Sequence, residues 1–399
     1  MYRSRVVAAA SITLAFALGS MRSGAAVPQV DISGFGTGGF AFTDSGKAQF
    51  SRSQQQVNGA NDQGDVGVDS LIALQGTVHF TDMFSATVQT MVRRLFNTGF
   101  ELDIPAFFVR AEVTHDLAVR VGRIQLPVFM VSDYRQLGYS NTWIRPPIEV
   151  YGQIPLDSVD GADILYRKTV GPADISAQGY YGKTDAPLAA GPIQVRKLWG
   201  VNANITVGPL TLRAGRNQSS LTATSSPLTN QVLTAVNAAG FTALANRLNP
   251  LNVPFDFTDF GFSLDGIHFT VQGEMSKVTA GGFLASTDGQ YILAGYRVAK
   301  FTPYAMYARQ KVTSERTDPT IPRVGPLIPL ALGVDQLINS VGADQHTISA
   351  GVRWDLHESV DLKLQVDRVS PQGNGLFINV RPGFHGPVTV ASMTLDFAF

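Results

Sequence analysis

The chain has 399 residues, 16% of them charged, with 31 basic side chains balanced by 31 acidic ones. No basic excess or basic run is available to neutralise phosphates, which excludes nucleic acid as a partner. Cysteine is absent, which excludes disulfide-stapled modules and thiolate metal sites. In chain order, Arg3 and Arg5 precede an apolar run over residues 6–18, followed by Ser23, Gly24, Ala25 and Ala26. That layout predicts a signal peptide over residues 1–26, cleaved after Ala25 or Ala26, since the run is shorter than the ~20 residues a bilayer-spanning helix needs. No later segment approaches a transmembrane helix, so a membrane location requires a closed barrel of strands.

Period two dominates the rest. Residues 30–42 read as a first strand, and a polar stretch over 43–64 joins it to residues 66–80, where Val66, Val68, Ile72, Leu74, Val78 and Phe80 alternate with polar positions. Residues 84–96 follow across a short turn, then 104–114 and 117–124, with only His115 and Asp116 between them. Further strands are expected over 162–168, 175–182, 197–207, 210–218, 257–264, 267–279, 290–298, 301–312, 346–356, 359–369 and 387–399. An insertion over 219–256 has helical spacing in its middle, and a Pro-rich loop covers 313–343. Sixteen strands joined by alternating short and long connections describe an all-β fold, a transmembrane antiparallel β-barrel. A soluble sandwich of this length would need several cores separated by linkers, and none is visible.

The stretch 127–160, PVFMVSDYRQLGYSNTWIRPPIEVYGQIPLDSVD, fits neither element. It leaves after the fifth strand, on the rim opposite the His115-Asp116 turn. An irregular connection of this length in a compact fold is expected to be functional. We expect it, over about 125–160, to fold into the lumen as a constriction loop. Pro146-Pro147 removes two backbone donors and stiffens it away from any sheet.

The chain ends with Met393, Leu395, Phe397 and Phe399 on one face, and Thr394 and Asp396 on the other. With sixteen strands and a long connection after the fifth, it resembles the general porins of proteobacteria. Val121-Gly122-Arg123-Ile124-Gln125-Leu126-Pro127 and Arg145-Pro146-Pro147-Ile148-Glu149-Val150-Tyr151 are similar to a porin-like branch of that family. The resemblance implies a homotrimer in the bacterial outer membrane, in contact with its lipid and lipopolysaccharide. It implies passive diffusion of small hydrophilic solutes, and a terminal Phe399 read by the barrel insertion machinery. The acidic motif of the enterobacterial constriction loop is not present, so selectivity does not carry over.

Strand phase places Arg93, Arg110, Glu112, Arg120, Arg213, Glu274, Arg353, Lys363, Gln365 and Asp367 on the polar, lumen-facing side, since an Arg or Lys facing lipid at the midplane costs roughly 2–4 kcal/mol. The wall is then moderately basic. Opposite it, the loop offers Asp133, Glu149, Asp157 and Asp160 together with Arg135 and Arg145. We expect Arg93, Arg110 and Arg120 to face the loop carboxylates across the constriction, setting a transverse field. The plainer alternative is pairing along the wall. The loop aromatics Phe129, Tyr134, Tyr139, Trp143 and Tyr151 are read as packing anchors in preference to a sugar-stacking slide.

Gly34-Phe35-Gly36-Thr37-Gly38-Gly39 matches G-x-G-x-x-G but opens no helix, so it predicts close packing rather than dinucleotide binding. The six histidines are scattered without metal spacing, and no cofactor is expected. A diffusion pore is the first reading. A channel specific for phosphate, sugar or small acids is second, and a barrel enzyme or adhesin third.

Overall fold

The computed structural model describes residues 28–188, 191–224 and 226–399; the signal peptide read in residues 1–26 lies outside them. Among the described residues sixteen strands form one closed antiparallel barrel. The first eight are β1 (Gln29–Thr43), β2 (Leu71–His79), β3 (Phe84–Arg94), β4 (Phe100–Thr114), β5 (Leu117–Gln125), β6 (Ser158–Val170), β7 (Ala173–Ala186) and β8 (Ile193–Val207). The second eight are β9 (Leu210–Ala223), β10 (Val253–Asp265), β11 (Phe269–Ala280), β12 (Thr287–Tyr296), β13 (Phe301–Val312), β14 (Gln345–His357), β15 (Val360–Pro371) and β16 (Val388–Ala398). Each pairs with its sequence neighbours, and β1 pairs with β16 from Phe35↔Ala398 to Thr43↔Val390, which closes the sheet.

Alternation explains why these segments form strands and which solvent each face suits. In β13 exposed and buried positions alternate without a break. The outward positions are apolar and exposed: Leu102 is 67% and Phe107 62% accessible. Such a surface is stable in lipid and a liability in water. At the seam, Gly34 and Gly36 let the rings of Phe399 and Phe397 lie across β1, where a Cβ would come within 2.5 and 2.6 Å of them.

Boundaries differ from the sequence reading where local hydrogen bonding overrides pattern. β2 starts at Leu71 and not at 66, because Asp65 Oδ1 accepts from the N–H groups of Gly67 (2.6 Å) and Val68 (3.0 Å) and turns the chain there. β4 starts earlier, at Phe100, and runs through a bulge: the register passes from Gln89↔Ala106 to Met91↔Asp103 around Pro105, which has no donor to give the ladder.

Three helices gather on the long-loop rim: α2 (Pro227–Ala238), α3 (Thr242–Arg247) and α4 (Ile328–Asn339). Ser226 caps α2 by accepting from the Thr229 N–H at 3.1 Å, and Gly240 at φ +87° breaks the chain between α2 and α3. Val236, Leu244, Val334 and Leu337 bury one another in a small separate core, and Arg247 pairs with Asp318 across two loops. Helix α4 lies inside the stretch read as a Pro-rich loop. The spacing of Ala331, Val334 and Leu337 is the signal that shows it, and Pro329 is tolerated in the first turn.

Candidate pore constriction

The connection between β5 and β6 folds inward, with single 3₁₀ turns at Ser132–Tyr134 and Gly138–Ser140 and one short helix, α1 (Ile148–Tyr151). Backbone that belongs to no sheet needs partners, and the wall supplies them. Arg213 Nη2 donates to the Pro127 carbonyl at 2.6 Å, Arg353 Nη1 to the Tyr139 and Asn141 carbonyls at 2.6 and 3.0 Å, and Lys363 Nζ to the Gly138 carbonyl at 2.6 Å. Glu274 accepts from the Met130 N–H at 3.1 Å and from the Tyr151 hydroxyl at 2.7 Å. These wall charges hold the loop.

Arg145 anchors the loop from its own side. Its side chain is 4% exposed; Nε and Nη2 reach Asp69 at 2.9 and 2.5 Å, and Nη1 reaches Asp367 at 3.1 Å. Nη2 also donates to Ser392 Oγ at 2.6 Å, and the guanidinium lies over the Phe50 ring. Glu149 docks on the same side of the lumen, accepting from Gln345 Nε2 at 2.8 Å and from the Thr347 hydroxyl. Apolar packing completes the attachment: Phe129 meets Tyr151 at 4.5 Å between ring centroids, and Trp143 meets Tyr291 at 5.5 Å. Fully burying such side chains contributes roughly 1.5–3 kcal/mol each. The loop's Phe129, Trp143 and Tyr151 are packing anchors; Tyr134 is 39% exposed, and Tyr139 lies under Arg353 and donates to the Glu358 carbonyl.

The structure brings three of the expected constriction residues together. Arg93 Nη2 reaches Asp157 Oδ2 at 2.6 Å, and Arg135 grips the other oxygen of the same carboxylate. Arg93 also pairs with Asp103 at 2.5 Å. Beside them, a pocket of about 50 Å³ is lined by Arg52, Arg93, Arg94 and Arg135, with Asp157 as the single carboxylate among its described lining residues. Arg94 is bound bidentately by Asp65 at 2.7 and 2.8 Å, whereas Arg52 meets Gln136 Oε1 at 3.1 Å and has no carboxylate within ion-pair distance among the described residues.

Other expected residues lie elsewhere. Arg110 bonds Glu112 two residues along β4 at 2.6 Å, and Arg120 is held by Asp163 of β6 at 2.5 Å, with the Phe108 ring beneath it. Both sit near the short-turn end, where a carboxylate one rung away is reached without crossing the lumen, so the expectation that they face the loop is corrected. Asp160 belongs to β6 rather than to the loop and pairs with Arg123 at 2.7 Å. Three residues from inward Asp163, it falls on the opposite face. Asp133 is exposed on the loop. The wall is also less basic than phase suggested, because Arg213 is paired with Asp259 at 3.0 Å, Arg353 with Asp361 at 3.1 Å and Lys363 with Asp396 at 3.0 Å.

Arg52 and Arg94 escaped the sequence reading. Arg94 ends β3 next to Arg93, so alternation assigns it outward; it turns in only because Asp65 receives it. Arg52 sits in an irregular polar loop with no phase to read.

No protein-family model and no curated protein matches the sequence. Solved structures do match in shape. The Salmonella typhi OmpF complex with daunomycin aligns at 12% identity over 93% of this chain and 98% of that one, with a TM-score of 0.57. Vibrio cholerae OmpT in its trimer form aligns at 12% identity over 94% and 100%, TM-score 0.53. The anion-selective porin from Comamonas acidovorans aligns at 13% identity over 94% and 100%, TM-score 0.53. The fold is that of a sixteen-stranded outer-membrane porin.

Proposed function

We propose that this chain is a homotrimeric outer-membrane porin that conducts small solutes passively and favours anions at its constriction. The observation that carries the reading is a closed barrel whose lumen is narrowed by a loop pinned to the wall on several sides, by Arg213, Arg353, Lys363 and Arg145. A loop held by buried ion pairs is a fixed filter. The sign is argued from the chain's own charges: four arginines line the pocket beside the loop, three of them are paired by Asp157, Asp103 and Asp65, and Arg52 forms no ion pair among the described residues. In a low-dielectric passage such a charge lowers the energy of an anion and raises that of a cation.

Planar-bilayer recording under a KCl gradient tests this. A reversal potential on the chloride side is expected. A cation-side potential overturns the selectivity, and negligible conductance overturns the channel. Lipid hydrolysis or surface adhesion without conductance would replace it with a different class of barrel. Export through a cleaved segment 1–26 belongs to the same proposal and is tested by sequencing the N-terminus of the membrane-inserted protein. Cross-linking or native-gel migration tests the trimer.

A further inference from the structure

We infer that the space between the constriction loop and the helical cap is a binding chamber for neutral, predominantly apolar solutes. A cavity of about 440 Å³ lies there, within the ~300–1,000 Å³ usual for small-molecule sites. Its walls come from three sources: Leu126 and Leu156 of the loop, Val195 and Phe257 from inward positions of β8 and β10, and Phe283 and Val341 beneath the cap. None of its described lining residues is charged.

That composition departs from the rest of the lumen. Along β4–β6, β9–β10 and β14–β16 the inward rungs carry ion pairs such as Arg120–Asp163, Arg213–Asp259 and Lys363–Asp396. Inward positions of a water-filled barrel are ordinarily polar. Apolar residues that only anchored the loop would close on one another, as Phe129, Trp143 and Tyr151 do; here they surround open volume instead. An ionised solute would have to shed water without gaining a counter-charge, whereas an aromatic or aliphatic one loses unfavourable hydration on entry. The wall's polar side chains are uncharged amides and hydroxyls, Gln153, Asn217 and Gln310 among them, and can orient a hydroxyl or ring N–H without selecting for charge.

The chamber adjoins the arginine pocket, since Ile154 and Pro155 line both. A solute held there therefore stands next to the arginine pocket. The inference rests on the channel reading for its route of entry, while binding itself is a property of the chamber.

The test is equilibrium binding of radiolabelled indole to the full chain in liposomes, corrected with empty liposomes of the same lipid. Saturable binding near one equivalent per chain is expected, displaced by toluene and phenol but not by benzoate or glucose at equal concentration. Ala223→Trp, which fills the chamber, and Leu221→Asp, which charges it, should each weaken binding at least tenfold in barrels that keep heat-modifiable gel mobility. Absence of saturable binding overturns the inference, as does displacement by benzoate equal to that by toluene, or unchanged binding in both folded variants. The displacement pattern in the unaltered chain decides even if neither variant folds. Binding without conductance would leave the chamber and remove the channel; conductance without binding would do the reverse.

Discussion

Arg93 on β3 and Asp157 at the end of the constriction loop meet at 2.6 Å, joining the barrel wall to the last residues of a segment that begins some thirty positions earlier. Asp157 is shared with Arg135, so one carboxylate stands between two guanidiniums while Arg52 and Arg94 line the same pocket. Few charged side chains line this point, which makes their contributions separable by substitution.

Asp157→Asn should increase anion over cation permeability, because it removes the carboxylate from the pocket and leaves Arg93 held by Asp103. Arg52→Gln should act in the opposite direction without freeing a buried acid. A charge about 4 Å from the ion path contributes roughly 1 kcal/mol in water-like surroundings, about a fivefold change in permeability ratio, larger where the passage is drier. Reversal potentials of the two variants, read at one ionic strength, check both; a shift of the same sign in each would contradict the assignment.

Arg145→Ala should loosen the loop and weaken the barrel. It leaves Asp69 and Asp367 buried without an ion-pair partner among the described residues, at 1% and 5% side-chain exposure. Removing one partner of a buried ion pair costs about 3–5 kcal/mol. Combining it with Asp69→Asn should restore part of the loss, because one stranded charge goes with its partner. Urea unfolding of the two variants and open-channel noise measure the effect, and equal stability of single variant and parent would refute it.

Glu149 gives the loop a pH dependence. Burial raises its carboxyl pKa, with the bonds from Gln345 and Thr347 pulling the other way. A raised carboxyl pKa means that the group's stabilising contribution is complete below its unfolded value of about 4.3 and is lost as pH rises through the higher folded value. Glu149→Gln keeps an acceptor for both donors and removes the buried charge, so it should be more stable than the parent at pH 7 and equal to it near pH 4. Unfolding midpoints at the two pH values decide; a difference that does not change with pH would place the cause elsewhere.

Gly36→Val should strain the β1–β16 seam. The new Cβ would sit 2.6 Å from the tip of the Phe397 ring, which must then move off the strand. Overpacking of this kind costs about 1–3 kcal/mol. Gly38→Ala is the matched control, since nothing lies within 4 Å of a Cβ there. Heat-modifiable gel mobility should fall for the first and hold for the second.

The barrel, its strand number and the inward loop were legible in the sequence because a strand's side-chain period is two and the lipid-facing half of that period must be apolar. Phase names the face on which Arg93, Arg110 and Arg120 lie, but it carries no height along the barrel and no neighbour across it. Arg110 and Arg120 therefore found carboxylates on their own wall, and only Arg93 met the loop. Arg52 had no period to read, and the apolar chamber is assembled from a loop, wall strands from β8 to β13 and a cap whose sequences are far apart. Repetition along the chain determined the fold by itself. The partners of each charge were decided only by the closed barrel, because opposite charges pair by distance in space, and distance across a lumen is set by which strands the closure brings face to face.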